Sequence, residues 1–373
     1  MKHEPSAIDT YSSRTLRWLA RCIVASALLG ALFVVGGERI GPERFWLLAF
    51  VEYLPYPLHL APALLAVLFS LALGRWWRGL ALLTVVLVAW PVMGLELHGA
   101  EPANGRMALR VMTYNVKAQQ AGARADGYAQ LAREVASQDP DILLVQDADD
   151  AAAPGPPAPN LLDSLFGTRL RYVYGQFGIA SRYPLRECGP GRAPSRPPGE
   201  SWIHCVAEIG GTAVDVYAVH LRTPREGLNA TRRERLAGVD DWQQNVAERM
   251  SQAAALARVV RAGTRPVILG GDLNAPEISL VVRSLLHAGL RDAWSVAGFG
   301  YGYTYGHALR TGFSFLRIDH VLASPQIGVA DSRVGGWRAS DHRPVIADLW
   351  LPRAGSRAAA SAASAASSLH VPQ

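Results

Sequence analysis

The stretch VILGGDLN, residues 267–274, passes from three aliphatic residues through two glycines to Asp272 and Asn274. The aliphatic run predicts a short buried strand at 266–269, and the glycines permit a change of direction directly after it. Polar side chains placed there stand at the end of a strand, where they can face a cleft. The structural alternative is a turn or a helix N-cap, in which both side chains bond only the local backbone.

The same arrangement of an apolar strand beside polar side chains recurs at five other places in the chain. Those strand ends and strand starts carry Asn115, Asp147, His220, Asp319 and the pair Asp341-His342. Ordinary turn residues have no reason to repeat this pattern at six strand termini. If the termini converge, they bring carboxylates, amides and imidazoles into one cleft.

Short apolar strands alternate with helical segments between residues 108 and 352. The patterns predict strands at 109–116, 142–146, 203–209, 214–221, 315–322 and 345–351, two further strands within 172–181, and helices at 128–138, 240–261 and 278–288. Strands and helices interleaved in this way predict a layered α/β or α+β domain, with the helices outside the sheets.

Three apolar blocks lie before residue 100, at about 16–37, 45–73 and 79–95. A membrane span needs about 20 apolar residues, which the first block supplies and the third barely reaches. The second block contains Pro55, Pro57 and Pro62, which would kink or break a helix. We therefore predict a transmembrane region of three helices at 16–95. The alternative is a signal peptide followed by buried core helices.

Basic residues near the first block predict the orientation of this region. Lys2, Arg14, Arg17 and Arg21 precede or open that block, which places residues 1–15 in the cytoplasm. Three spans in an inner or plasma membrane then make the remainder periplasmic or extracellular, and an even number would reverse this. Residues 96–107 are interpreted as a linker. The Ala/Ser-rich residues 353–373 are interpreted as a disordered tail.

Cysteine usage and net charge are weaker indicators of the compartment and of the class of protein. Cys188 and Cys205 could form a disulfide, which suits an oxidising compartment, but two free thiols are equally ordinary. The net charge is +6, yet residues 106–351 contain 27 basic and 24 acidic residues, which does not by itself indicate a nucleic-acid binder. A local basic cluster follows His220 and consists of Arg222, Arg225, Arg232, Arg233 and Arg235.

The acidic and amide residues at the strand termini suit a divalent cation. Hard oxygen ligands such as Asn115, Asp147 and Asp341 can hold Mg²⁺ or Mn²⁺. A bound cation of this kind screens the negative charge of a phosphate ester and makes its cleavage possible. The sequence therefore predicts a metal site next to Asp272.

The remaining polar residues suit water attack on the phosphorus. The water needs a carboxylate partner, for which Asp272 is well placed. The transition-state oxygens need donors, which Asn274, His220 and His342 can supply. A second carboxylate, Asp319, can hold one imidazole in a fixed orientation.

These segments resemble the endonuclease/exonuclease/phosphatase superfamily, which includes DNase I-like nucleases, abasic-site endonucleases, inositol polyphosphate phosphatases and neutral sphingomyelinases. The resemblance covers about residues 108–352, and GDLN at 271–274 and SDHRP at 340–344 are its most specific motifs. Asn115 and RIDH at 317–320 are supporting matches. The resemblance implies an α+β fold, a four-layer αββα sandwich with the site at one sheet edge.

The resemblance also implies roles for individual residues. Asn115 and Asp147 would lie at the metal, and Asp341 would aid metal binding. Asp272 would orient or deprotonate the water, and Asn274 and His220 would contact the phosphate. His342 would contact the phosphate as the acid or the electrostatic stabiliser, and Asp319 would pair with His342. The division of labour between the two histidines stays open.

Two residues depart from the family pattern. The family usually has Gln-Glu where this chain has Gln146-Asp147, and Asp is one methylene shorter. Lys117 stands where abasic-site endonucleases carry an acid. The first departure puts the metal geometry in doubt, and the second argues against an abasic-site enzyme.

The leading hypothesis is a membrane-anchored, metal-dependent hydrolase of phosphodiester bonds, nuclease-like or generic. Its substrate would be nucleic acid or a lipid headgroup. The alternatives are a phospholipid or sphingomyelin-type phosphodiesterase, an inositol-phosphate phosphatase, or a catalytically weak binding module with the same fold. A transporter or channel is disfavoured because the apolar blocks contain few ionisable residues.

Overall fold

A computed structural model describes residues 7–148, 161–193, 199–309 and 312–352, with side chains from residue 14 onward. The predicted tail at 353–373 and residues 1–6 of the predicted N-terminal segment at 1–15 therefore lie outside the described residues. Two compact units divide the chain, Met1–Leu95 and Glu96–Gln373.

The first unit is helical and apolar. Its helices are α1 (Ala7–Ile40), α2 (Trp46–Val51), α3 (Leu60–Ser70) and α4 (Arg75–Leu87). Of the described helices, only α1 is long and apolar enough to cross a membrane, over Arg14–Ile40. Only 17% of its most apolar window is buried, whereas the core helix of a soluble protein would be mostly buried.

The prediction of three membrane helices is not supported beyond α1. The second apolar block is interrupted between α2 and α3, as its prolines predict. The third block forms α4 and continues as a short π-helical turn, Val88–Val92, around Pro91. The second and third blocks therefore do not form helices long enough to span a membrane, because proline removes a backbone hydrogen-bond donor within each of them.

The second unit contains fourteen described strands, three of which have only two residues. They are β1 (Glu96–Leu97), β2 (Met107–Asn115), β3 (Ile142–Gln146), β4 (Leu170–Tyr174), β5 (Phe177–Ser181), β6 (Leu185–Arg192), β7 (Glu200–Ile209), β8 (Thr212–His220), β9 (Val267–Asp272), β10 (Arg291–Asp292), β11 (Phe299–Gly300), β12 (Asp319–Ala323), β13 (Gly328–Val334) and β14 (Val345–Leu351). One six-stranded sheet has the order β10-β12-β9-β8-β7-β6, and the other has the order β13-β14-β2-β3-β5-β4.

The two sheets lie between two layers of helices. The helices of this unit are α5 (Ala118–Gly122), α6 (Gly127–Gln138), α7 (Leu161–Phe166), α8 (Arg225–Glu234), α9 (Val239–Ala262), α10 (Leu280–Leu286) and α11 (Ala293–Ala297). Aliphatic residues of both sheets form the central core. One outer core joins α9 and α10 to the first sheet, and another joins α5, α6 and α7 to the second. The predicted four-layer αββα sandwich of the α+β class is confirmed.

Several predicted elements differ from the structure at their ends. The strand predicted at 266–269 continues through both glycines to Asp272, and the strand predicted at 315–322 begins only at Asp319. Leu316 instead bridges to Tyr305. Strands β6 and β13 were not predicted, because both contain partly exposed polar residues and neither has a continuous apolar run.

Residues 96–107, which were interpreted from the sequence as a linker, are part of the second unit. β1 pairs with β11, and Glu101 forms a salt bridge with Arg291 at 2.7 Å. The backbone carbonyl of Glu101 also accepts a hydrogen bond from the Trp350 indole at 2.8 Å. The composition of this segment, rich in Gly, Ala and Pro, concealed these long-range contacts.

Cys188 on β6 and Cys205 on β7 form a disulfide. The bridge ties the edge strand of one sheet to its neighbour. It settles, for this structure, the pairing that the sequence left open. Cys22 in α1 is a free cysteine.

Candidate active site

The strand termini that carry the predicted site residues meet at one end of the two sheets. β8 and β9 run parallel, with His220 opposite Asp272. β12 runs antiparallel to β9, so its first residue, Asp319, also lies opposite Asp272. In the facing sheet, β2 ends at Asn115. The buried apolar bodies of these strands place their polar ends together.

Asp272 is at the centre of this arrangement and is 1% exposed. Its Oδ2 accepts a hydrogen bond from Asn115 Nδ2 at 3.0 Å. The same oxygen lies 3.6 Å from His220 Nε2 and 3.7 Å from His342 Nε2. Three predicted site residues from separate segments therefore converge on one carboxylate oxygen.

Asn274 lies beside this centre. Its backbone N–H donates to Asp272 Oδ1 at 2.8 Å, and its Nδ2 donates to the carbonyl of Leu221 at 2.9 Å. Its φ of 49° is in the left-handed region that Asn tolerates better than most residues. The turn alternative is thus correct locally, but it coexists with a site, because the turn holds Asp272 toward the histidines.

His342 is held in one orientation by Asp319. Its Nδ1 lies 2.9 Å from Asp319 Oδ2, and both side chains are almost fully buried. Burial alone would lower the pKa of His342, but Asp319 and then Asp272 raise it to about 9. Burial raises the pKa of Asp319, with His342 opposing that change. At neutral pH His342 is accordingly an imidazolium.

His220 has the opposite electrostatic character. Burial lowers its pKa, and nearby Lys117 and His342 act in the same direction against the attraction of Asp272. Its Nδ1 lies 2.5 Å from Gln176 Oε1, and its Nε2 lies 3.6 Å from Asp272 Oδ2. The ring is therefore held between Gln176 and the central carboxylate.

Asp147 faces a lysine within the cleft. Its Oδ2 accepts a hydrogen bond from Lys117 Nζ at 2.5 Å. Burial would raise the pKa of Asp147, but Lys117 lowers it below the ordinary value. Burial would lower the pKa of Lys117, yet Asp147, followed by Asp272 and Asp341, raises it. The two side chains are therefore an ion pair.

Asp341 offers the clearest opening for a cation. Its Oδ1 is buried and accepts no hydrogen bond within the described part of the chain, while Oδ2 receives only a long contact of 3.5 Å from Gln120. A buried carboxylate oxygen without a donor is costly unless a cation satisfies it. A carboxylate oxygen of this kind is a ligand that Mg²⁺ and Mn²⁺ prefer.

A second acidic grouping consists of Asp272, Asp319 and His342, whose candidate ligand atoms all lie within 4.8 Å of one another. Nδ1 of His342 is already bound to Asp319. The grouping is therefore better explained as an imidazolium between two carboxylates than as a complete ligand set. It differs from the predicted set of Asn115, Asp147 and Asp341.

Sequence reasoning missed three residues that position the site. Gln176, between β4 and β5, holds His220. The hydroxyl of Thr304 accepts a hydrogen bond from the backbone N–H of Asp319 at 3.3 Å. The ring of Tyr305 lies 5.0 Å from that of His342. Of these three, only Tyr305 stands in a distinctive stretch of sequence, YGYTY at 301–305.

A buried ionic cluster lies directly behind the site. Arg317 donates to Asp292 Oδ2 at 2.6 Å and also pairs with Glu277. His320 Nδ1 lies 3.2 Å from the same Asp292 oxygen. This cluster anchors the start of β12, where Asp319 is located.

The αββα sandwich and the cluster of Asp and His at its sheet edge define a phosphoester hydrolase of the DNase I-like class. The model of the Endonuclease/Exonuclease/phosphatase family matches residues 112–342, and the chain belongs to that family. It is accordingly a hydrolase acting on phosphate esters, and enzymes of this family generally depend on divalent metals.

Solved structures share the fold at low sequence identity. Truncated TDP2 from Caenorhabditis elegans has a TM-score of 0.50 and 18% identity, over 66% of this chain and 98% of that one. A second TDP2 structure from C. elegans has a TM-score of 0.50 and 17% identity, over 82% and 89%. An endonuclease/exonuclease/phosphatase from Beutenbergia cavernae is 23% identical, with a TM-score of 0.47, over 66% and 72%. No curated protein matches the chain.

Proposed function

We propose that this chain is a divalent-metal-dependent phosphodiesterase of nuclease-like or generic specificity. The observation that carries the proposal is the convergence of Asn115, His220 and His342 on Asp272 Oδ2 within 3.0–3.7 Å. A buried carboxylate shared by an amide and two imidazoles is suited to orient and deprotonate a water. The matched family supports a phosphate ester as the target of that water.

Each residue of the site has a distinct proposed task. Asp272 accepts the proton of the attacking water. His342, kept charged by Asp319, donates toward the phosphate oxygens, where negative charge develops. Asn274 adds a polar contact to the phosphate. The pKa of His220 is lowered by burial, whereas that of His342 is raised to about 9, so His342 is the histidine that carries a proton to donate at neutral pH.

The proposed cation is Mg²⁺ or Mn²⁺, held through Asp341 with Asn115 and Asp147 nearby. The support is the buried, unsatisfied oxygen of Asp341, because both ions prefer carboxylate oxygens as ligands. When bound, the ion would withdraw charge from the phosphate and polarise it toward attack. Asp147 is the least available of the three, because Lys117 already neutralises it.

Nucleic acid is the substrate class favoured by the surroundings of the site. Arg225, Arg232, Arg233 and Arg235 lie exposed on and after α8, which follows the strand of His220. Burial would lower the pKa of Arg225, but Tyr305, beside His342, raises it. Arg222 contributes less, because it pairs with Glu226 and Glu248. Exposed arginines near a phosphate site bind phosphate backbones.

We also propose that α1 anchors the chain in a membrane and that the catalytic unit lies outside the cytoplasm. The basic residues Arg14, Arg17 and Arg21 near the start of α1 support an inward N-terminus, and the disulfide suits an oxidising compartment. A single span or three spans give the same sidedness. An alkaline phosphatase reporter fused after residue 352 should be active, and activity only of a cytoplasmic reporter would contradict the proposal.

The catalytic proposal is tested on the full chain, in detergent, with bis-p-nitrophenyl phosphate and Mg²⁺ or Mn²⁺. We expect turnover that chelation abolishes, and a loss of about 10²–10⁴-fold in Asp272→Asn. The matched control is Asp163→Asn. Asp163 is an exposed acid in α7 that pairs with Arg171. A panel of DNA, RNA, sphingomyelin and inositol phosphates then assigns the class. Turnover by neither protein would support a binding module instead.

A further inference from the structure

Lys117 places a positive charge among the acids that would hold a metal. Its Nζ lies 2.5 Å from Asp147 Oδ2, and the two side chains are 16% and 33% exposed. Half-buried and at this distance, the pair is shielded from the screening that weakens surface salt bridges. The ammonium thus occupies one carboxylate oxygen that the family resemblance assigns to the metal.

The backbone fixes the two residues opposite each other. The N–H of Val116 donates to the carbonyl of Gln146 at 3.0 Å, and the N–H of Ala118 donates to the carbonyl of Asp147 at 2.9 Å. Lys117 and Asp147 both have φ in the left-handed region, at 46° and 54°. The turns that follow β2 and β3 are therefore joined by backbone hydrogen bonds, and the Lys117–Asp147 ion pair adds a side-chain contact between them.

Asp341 provides the contrast within the same cleft. Its Oδ1 is buried without a donor from the described residues, whereas the Asp147 carboxylate has a full positive charge bonded to it. The two carboxylates are thus unequal as ligands. A cation arriving in the cleft meets one open oxygen and one that is already neutralised.

We propose that Lys117 is an internal cation that competes with the divalent ion for Asp147. An ion that binds at Asp147 must displace the ammonium or remain beside it, and either event weakens binding. The ion is consequently held mainly through Asp341. This inference rests on the metal dependence in the proposed function, and it deepens that proposal by naming the residue that sets the metal affinity.

The test measures metal binding itself, by titrating the full chain in detergent with Mn²⁺ and following free Mn²⁺ by electron paramagnetic resonance. We expect Lys117→Met to bind Mn²⁺ at least about tenfold more tightly than the natural chain, because the ammonium that neutralises the Asp147 carboxylate is removed. Lys117→Arg, which retains the charge, should bind like the natural chain. If Lys117→Met does not fold, Lys117→Gln replaces it, because its amide can still donate to Asp147.

A double-mutant cycle separates competition for Asp147 from a general change of charge. In the Asp147→Asn background, Lys117→Met should tighten binding by less than about twofold, since the contested ligand is absent. Arg225→Gln is the charge-matched control, because it removes one positive charge at the site without contacting Asp147. It should change the affinity far less than Lys117→Met does.

Three results would overturn the inference alone. These are an unchanged affinity in Lys117→Met, equal tightening in the Asp147→Asn background, and equal tightening in Arg225→Gln. A different result separates the two proposals: if neither the natural chain nor any variant binds Mn²⁺, the metal dependence of the proposed function fails, and this inference fails with it.

Discussion

The Nδ1 atom of His342 lies 2.9 Å from Oδ2 of Asp319, and the Nε2 atom of the same ring lies 3.7 Å from Oδ2 of Asp272. The imidazole therefore stands between two buried carboxylates that face each other across neighbouring strands. This geometry explains both the fixed orientation of the ring and its pKa of about 9. It also makes Asp319 a positioning residue whose effect must pass through His342.

Replacing Asp319 should therefore change the titration of His342 before anything else. In Asp319→Asn we expect the pKa of His342 to fall well below 9, because the largest attraction that opposes burial is removed. Turnover at neutral pH should fall about 10²–10⁴-fold. Imidazole titration by nuclear magnetic resonance checks the first effect, and an unchanged His342 pKa would contradict the assignment.

The same pair makes a statement about stability. The folded pKa of His342 is raised above its ordinary value of about 6.5, so its contribution is complete below pH 6.5 and is lost as pH rises through about 9. The natural chain should lose stability over that interval. Asp319→Asn should show a shallower dependence, measured by denaturant unfolding at several pH values.

Metal binding should stabilise the folded protein through Asp341. A ligand present at 100 times its Kd adds about 2.7 kcal/mol to the free energy of unfolding, so Mn²⁺ should raise the Tm and chelation should reverse the rise. Asp341→Asn should abolish the shift, because it removes the negative charge of the carboxylate whose oxygen is unsatisfied. An equal Mn²⁺ shift in Asp341→Asn would place the ion elsewhere.

The strand and helix patterns predicted a layered domain, and the family resemblance implied the four-layer sandwich that the structure confirms. The eight residues of the proposed site are those that the sequence singled out, and their roles stay predictions. The fold prediction succeeded because buried strands have a clear apolar pattern. Asp272 is an example. The GDLN motif places it at the end of β9, and the pairing of β9 with β8 and β12 brings His220 and Asp319 opposite it.

The rest depended on contacts between distant segments. Gln176 is 44 positions from His220, which it holds, and a polar residue in a hairpin turn has no signal of that role. Lys117 appeared only as a departure from a family pattern, since its pairing with Asp147 spans 30 positions. The second apolar block was mispredicted for a different reason. Hydropathy shows how long an apolar stretch is, but it does not show whether that stretch forms one continuous helix.

The buried cluster behind the site should contribute strongly to stability. Asp292→Asn leaves Arg317, which is buried, with one fewer counter-charge, and breaking a buried pair costs about 3–5 kcal/mol. The pKa of Asp292 is held far below its ordinary value by Arg317 and His320, against burial. Its contribution is therefore present above about pH 4 and is lost as pH falls below that value.

Acid unfolding curves check this prediction. The Asp292→Asn variant should be less stable at neutral pH and should show a smaller further loss in acid than the natural chain. Asp163→Asn, an exposed acid, should stay within about 0.5 kcal/mol of the natural chain. Parallel acid curves for Asp292→Asn and the natural chain would refute the assigned role.

Reduction of the disulfide should destabilise the catalytic unit. Cys188 and Cys205 are separated by 17 positions, and closing a loop of this length contributes about 3 kcal/mol in the chain-entropy account. A Cys188→Ser/Cys205→Ser double variant should lose about that amount, measured by denaturant unfolding. Reductant should lower the Tm of the natural chain and leave that of the double variant unchanged, and equal responses would argue against the bridge.

Gly271 links the backbone to the site, because a side chain there would collide with a neighbouring strand. A Cβ at Gly271 would lie 1.9 Å from the carbonyl oxygen of Val219 on β8, and a backbone atom cannot rotate aside. Gly271→Ala should force β9 away from β8 and separate Asp272 from His220. We expect a loss of at least about 3 kcal/mol in stability, with turnover falling even in the folded fraction.

The control for this substitution is Gly189→Ala on β6, where a Cβ would meet nothing within 4 Å. That variant should unfold like the natural chain and keep its turnover. Unfolding measurements and turnover per folded molecule together distinguish the two effects. A stable, active Gly271→Ala would show that β8 and β9 can separate without disturbing Asp272, which would remove the structural reason for glycine at this position of the motif.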